Sequence, residues 1–248
     1  MEINTVPSLG EPVGSVWRDL QARHIASSGT FNYALPLSST PRPIYSWAIK
    51  NHARFAGWDS SRFVLMDEQV DGTPPAVDYI PAVDSASYES FARTHLLSPL
   101  DAATGAETLV LKPDLQKFSS FDAPINMLVL ALGVQGNYAN VMPGTPLDVG
   151  WHLARLIEEF RQVHTESSSE SYAGARFREY GMSLGPWQVR TADQVIVIVS
   201  GARKRDLYAE LMSHKSPDPD FPLSIIFHPE VRDRVSVFVT EDVVAEAG

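Results

Sequence analysis

Between Asn126 and Leu132 the chain reads Asn-Met-Leu-Val-Leu-Ala-Leu, an almost unbroken apolar run, and Val195 to Val199 is Val-Ile-Val-Ile-Val. A strand with one wet face alternates polar and apolar residues, so strands like these belong to a sheet covered on both sides. Shorter apolar runs end at Leu37, Met66 and Leu111, and the stretches between them have helical spacing. Val16, Trp17, Leu20 and Ile25 fit one face of a first helix closed by Ser27-Ser28-Gly29, and Ile44, Trp47 and Ala48 fit a second. A third helix is expected from Ser85 to Leu97, a polar, Pro-rich connection from Asp71 to Pro81, closing strands at Ser224 to Phe227 and Val235 to Val239, and a short helix in the acidic tail. Trp151 to Val163 fits either a helix or a strand, and Thr165 to Ser171 reads as a polar loop. The alternation predicts a three-layer α/β/α sandwich with a mostly parallel, Rossmann-like central sheet, formed as one domain over residues 1–248.

Composition narrows the function classes. A net charge of −10, with 20 scattered Lys and Arg, offers no basic stripe for a nucleic-acid backbone. No stretch approaches the length of a membrane span and the N-terminus lacks a signal-peptide pattern, so a cytoplasmic location is expected. There is no cysteine, and the seven His form no close-spaced pair, which removes thiolate chemistry and the common metal signatures. The expected partner is a small molecule, with no cofactor implied and self-association left open.

Two strand-turn-helix units suit an anion. Tyr33-Ala34-Leu35-Pro36-Leu37-Ser38-Ser39-Thr40-Pro41 runs from an apolar strand into small hydroxyl residues and a helix-starting Pro. Val199-Ser200-Gly201-Ala202-Arg203-Lys204 repeats the arrangement with a cation in the first helical turn. Ser38, Ser39 and Thr40 could equally be a helix cap, and Lys204 a solvated lysine. Phe63 to Met66 carries two carboxylates at its far end, Asp67 and Glu68. Ligands of open parallel sheets sit beyond the carboxyl ends of strands, which places Asp67 in the same cleft. The alternative for Asp67 is a turn cap, and for Glu68 a structural role as acceptor of backbone N–H groups. Asn137, Tyr138 and Asn140 follow Gly136 as either a tight turn or a set of polar contacts to a ligand.

In this order the landmarks resemble the superfamily of glucosamine-6-phosphate deaminases and 6-phosphogluconolactonases, over roughly Trp17 to Val243. The family's phosphate loop, Leu-Pro-x-Gly-Ser-Thr-Pro, is similar to Leu35 to Pro41, and its Asp-Glu and later Ser-Tyr are similar to Asp67-Glu68 and Ser87-Tyr88. Its glycine loop resembles Gly133-Val134-Gln135-Gly136-Asn137, its late strand resembles Gly181 to Gly185, and its phosphate lysine falls on Lys204. The resemblance implies a sugar-phosphate substrate held by Ser38, Ser39, Thr40, Arg176 and Lys204. It implies Asp67 as a proton shuttle between adjacent sugar carbons, and a pocket that includes Glu68, Gly133, Gly136, Asn137, Tyr138 and Asn140. It would make the first half of Trp151 to Val163 a strand.

Three departures stand beside the matches. Where the family has Asp, His and Glu, this chain has Gln135, Asn137 and Met142. An amide cannot move a proton as imidazole does near neutral pH. Ring opening and lactone hydrolysis by the usual residues therefore both lack their base, and His152 is the nearest imidazole that could replace it. Trp187 falls where the family usually has Gly, which implies a reshaped pocket. The sequence reading is a sugar-phosphate isomerase or deaminase with altered residues, with a non-catalytic sugar-phosphate sensor as its rival and a lactonase as a third option.

Overall fold

A computed structural model describes residues 1–118, 121, 123–156, 158, 172 and 175–245. The central sheet has seven strands: β1 (Glu2–Val6), β2 (Phe31–Ala34), β3 (Ser61–Val64), β6 (Leu109–Leu111), β7 (Met127–Ala131), β10 (Val195–Val199) and β11 (Val235–Thr240). Their order is β1-β11-β10-β7-β2-β3-β6, and every neighbouring pair is parallel. The side chains alternate between two cores. Met127, Val129, Ile196 and Ile198 enter one, and Leu128, Leu130, Val195, Val197 and Val199 the other. This is the double burial that the unbroken apolar runs require.

The first core is covered by α1 (Gly10–Ser28), α2 (Arg42–Lys50), α3 (Tyr88–Ala92) and α4 (Ser98–Thr104). The second is covered by α5 (Pro186–Thr191), α6 (Arg205–Ser213), α7 (Glu241–Val244) and a 3₁₀ turn, Pro222–Phe227. α1 ends as its sequence predicts, with Gly29 left-handed and its N–H on the Ile25 carbonyl at 2.9 Å. Trp17 is fully buried in an aromatic group with Tyr33, Phe55 and Trp58.

Four expectations are corrected. The cradle strand stops at Ala34 rather than Leu37. Asp71 to Pro81 is not a plain connection: β4 (Asp67–Thr73) and β5 (Ala76–Tyr79) form a hairpin. With β9 (Tyr180–Ser183) and β8 (His152–Arg155) they make a second, antiparallel sheet in the order β5-β4-β9-β8. The helix expected to Leu97 turns into a π-helical stretch, Arg93–Leu97, just ahead of Pro99, which has no N–H to continue the α ladder. Ser224 to Phe227 is no strand, because Pro222 starts a 3₁₀ turn and Ser224 bonds back to Asp218, its Oγ accepting from the Asp218 N–H at 2.6 Å. β8 gives the first half of Trp151 to Val163 the strand form. The rest of that segment, apart from Leu156 and Glu158, and all of Thr165 to Ser171 lie outside the described residues.

Candidate functional site

β2 and β10 flank β7 in parallel, so the loops that follow all three open at one edge of the sheet. There a cleft of about 790 Å³ is lined by Ser38, Ser39 and Thr40 after β2, by Gly133, Asn137 and Tyr138 after β7, and by Gly201, Arg203 and Lys204 after β10. Asp67, Tyr88 and Tyr172 complete its inner wall. Among the described residues, no acceptor takes the N–H of Ser38, Ser39 or Thr40, which leaves three donors ahead of α2.

Gly201 adopts φ 95°, a conformation glycine allows at little cost, and it turns the chain from β10 into a 3₁₀ turn, Ala202–Lys204. Lys204 is thereby carried into the cleft wall half-buried, and no carboxylate among the described residues pairs with it. Burial, helped by the neighbouring Arg203 charge, pulls its pKa down to about 8.

Asp67 stands at the point where the chain leaves the central sheet. Leu65 N–H still reaches the Leu111 carbonyl of β6, and from Asp67 onward the chain pairs with β9 instead. The Asp67 side chain is buried at the cleft wall and its Oδ1 has no donor. Burial first, and the adjacent Glu68 charge second, push its pKa well above the usual carboxylate range. Glu68 is its opposite. It accepts from Gln69 N–H, Ser87 Oγ–H, Tyr88 N–H and Glu89 N–H, all within 2.9 Å, and so anchors the start of α3. Burial still raises Glu68, against the lowering pull of those donors. Glu68 does not line the cleft; it holds the structure behind Asp67.

The glycine loop is internally wired. The Asn137 carboxamide oxygen accepts from Gln135 N–H at 3.3 Å, and its backbone carbonyl accepts from Gly133 N–H at 2.8 Å. A Cβ on Gly133 would lie 2.1 Å from Asn137 Oδ1, so glycine is the residue that admits this amide. Asn137 thus braces a tight turn while still lining the cleft. Gly136, at φ 69°, packs on Phe221 and lies outside the lining. Asn140 is also outside it: its amide donates to the Met182 carbonyl at 3.2 Å and its N–H to Ser183 Oγ at 3.2 Å, tying the loop to β9. Tyr138 is buried in the cleft wall with an unpartnered hydroxyl, which burial keeps protonated.

Three further residues fall elsewhere than the sequence suggests. Arg176 is exposed and does not line the cleft; its carbonyl accepts from Arg178, whose guanidinium grips Asp71 and Asp84 at 2.7 Å each. Trp187 is 47% exposed under Arg190 on α5, so it does not narrow the cleft. His152 is half-buried outside the cleft lining, where its Nδ1 donates to the Gly150 carbonyl, its buried Nε2 is unpartnered, and burial lowers its pKa. Sequence reasoning missed Arg203 and Tyr172. Arg203 was legible in principle as the neighbour of Lys204, whereas Tyr172 reaches the cleft through contacts that span 135 residues of chain.

The fold and cleft together define a three-layer α/β protein with an open cleft at the carboxyl ends of its parallel strands. No family model matches the chain. It is 26% identical to a 6-phosphogluconolactonase of Caulobacter vibrioides over 222 residues, 86% of this chain and 84% of the other. It is 24% identical to a glucosamine-6-phosphate deaminase of Lactobacillus acidophilus, with 84% of each chain covered. Among solved structures, a monomeric glucosamine-6-phosphate deaminase superposes with TM-score 0.76 at 17% identity, covering 98% of this chain and 99% of that one. A 6-phosphogluconolactonase of Thermotoga maritima gives 0.67 at 16%, covering 97% and 99%. These relatives and structural neighbours are glucosamine-6-phosphate deaminases and 6-phosphogluconolactonases, all at low identity to this chain.

Proposed function

We propose that the chain acts as one domain that binds a phosphorylated sugar in this cleft and isomerises or deaminates it, an amino-sugar phosphate being the preferred substrate. Ser38, Ser39, Thr40 and Lys204 hold the phosphate in this reading, and Asp67 carries a proton between adjacent carbons of the sugar. Arg176 is left out of the grip because it lies outside the cleft. The supporting observation is the pairing of opposites in one cavity: N–H donors and a Lys204 that no partner among the described residues takes up at one part, and a buried carboxyl with a raised pKa at another. A carboxyl whose hold on its proton is strengthened by burial, and then by the adjacent Glu68 charge, is suited to exchanging a proton with a bound sugar. The remote phosphate grip supplies the binding energy that orients the reacting carbons over it.

The rival reading, a non-catalytic sugar-phosphate sensor, draws support from Asn137, which is committed to bracing its own loop, and from Met142, which packs with Ala154 and Leu156 outside the cleft. One experiment separates them. The protein is incubated with glucosamine 6-phosphate and aldose phosphates in deuterated water, and exchange at carbon 2 is read by NMR. Exchange supports the enzyme; binding without exchange supports the sensor.

A further inference from the structure

A peptide unit is planar and trans, so its C=O and N–H point in opposite directions and fixing one fixes the other. In the loop after β2, the Leu37 carbonyl, which shares a peptide with the Ser38 N–H, and the Pro36 carbonyl one peptide earlier are both held by buried phenols. Tyr172 Oη–H donates to the Leu37 carbonyl at 2.9 Å, and Tyr45 Oη–H donates to the Pro36 carbonyl. Pro36 and Leu37 line the cleft, as does Tyr172 itself. An uncapped carbonyl oxygen there would repel an anion and leave its peptide free to rotate. The Tyr172 ring cannot easily swing away: it stacks on Phe91 at 5.3 Å and meets Tyr88 and Phe177 edge-on at 5.8 and 5.5 Å.

We propose that Tyr172, with Tyr45, is a positioning residue for phosphate recognition: its hydroxyl locks the Leu37–Ser38 peptide and masks the Leu37 oxygen, so that the loop presents donors to an anionic ligand. This rests on the phosphate reading above. Burial raises both phenols well above their ordinary pKa, so they remain O–H donors at any working pH.

Because the aromatic neighbours hold the ring, Tyr172→Phe removes the hydroxyl alone. Calorimetric titrations of wild type, Tyr172→Phe and Tyr45→Phe with inorganic phosphate, glucosamine 6-phosphate and glucosamine test the proposal. In Tyr172→Phe the dissociation constants for phosphate and sugar phosphate should rise together, about tenfold, the value of one lost hydrogen bond, while that for glucosamine stays unchanged. Unchanged phosphate affinity in the folded variant, or an equal loss for glucosamine, overturns it. Tyr45→Phe frees the neighbouring Pro36–Leu37 peptide and should weaken phosphate and sugar phosphate alike but by less; unchanged phosphate affinity in it overturns the part assigned to Tyr45. The wild-type amide spectrum needs no variant: the Ser38 N–H should move downfield as phosphate is added, and a static Ser38 signal also overturns the proposal. Wild type that binds neither phosphate nor sugar phosphate would instead remove the phosphate reading itself.

Discussion

Two adjacent carboxylates illustrate how neighbours decide a residue's role. Glu68 meets four donors and is a structural anchor; Asp67, one residue earlier, has an oxygen with none and faces the cleft. Asp67→Asn keeps the shape but cannot carry a proton, so carbon-2 exchange should vanish while sugar-phosphate affinity is retained. The same variant should be more stable than wild type at pH 7 to 8. The folded pKa of Asp67 is raised, so the folded state binds the proton more tightly and wild-type stability falls as pH rises from the unfolded pKa through the folded one. The amide does not titrate. The gap in melting temperature should therefore open with rising pH and close in acid, at about 2–4 °C per kcal/mol for a chain of this size; a gap independent of pH would refute the burial argument. Lys204 carries the complementary prediction. With a pKa near 8 it is about half neutral at pH 8, and a bound phosphate dianion would restore its charge. Binding at pH 8 should take up protons, seen as a dependence of the calorimetric enthalpy on the buffer's ionisation enthalpy. Lys204→Met should abolish that uptake and weaken phosphate affinity by about one to two decades, the worth of a charge-assisted hydrogen bond.

At the scale of elements, packing against backbone separates glycines that matter from those that do not. A Cβ on Gly185, the residue ahead of α5, would fall 2.3 Å from the carbonyl oxygens of both Val149 and Gly150, and neither can retreat without moving the entrance to β8. On Gly150 it would meet nothing closer than Gln188 at 3.4 Å. Gly185→Ala should cost roughly 1–3 kcal/mol, the usual range for overpacking, and Gly150→Ala should stay within about 0.5 kcal/mol in denaturant unfolding; equal effects would contradict this geometry. The same contrast explains what the sequence could tell. β7, β10, the C-terminal end of α1 and the start of α2 were legible because burial on both faces, a terminal glycine and a helix-starting Pro are local signals. β4 and β5 were not: Asp-Glu-Gln-Val-Asp-Gly-Thr is polar, and only its pairing with β9 and β5 makes it a strand. Ile225 and Ile226 misled in the other direction, since their β-branched chains enter the core from a 3₁₀ turn.

Across the whole molecule, the cleft gathers loops from β2, β7 and β10 that the sequence order alone could align with a family but not assemble. Ser38 to Thr40, Asp67 and Lys204 announced themselves through strand-turn chemistry, whereas Tyr172, and the bracing role of Asn137, depend on contacts only the fold creates. If that cleft is a sugar-phosphate site, ligands should stabilise the folded chain by mass action. A sugar phosphate present at 100 times its dissociation constant should add about 2.7 kcal/mol and raise the melting temperature by about 5–10 °C, and the matching free sugar much less. Equal shifts for the two would argue against a phosphate grip, and no shift with any sugar phosphate would remove the site. The same assay frames the last substitution, Asn137→His, which supplies the imidazole of the deaminases. Asn137 braces its own loop and Gly133 has no side chain so that its amide fits, while Gln135 and Met142 do not change with it. A larger ring at that point should lower the melting temperature of the unliganded protein and raise carbon-2 exchange on glucosamine 6-phosphate little, if at all. A large gain in exchange at unchanged stability would show instead that a single missing base separates this chain from the deaminases.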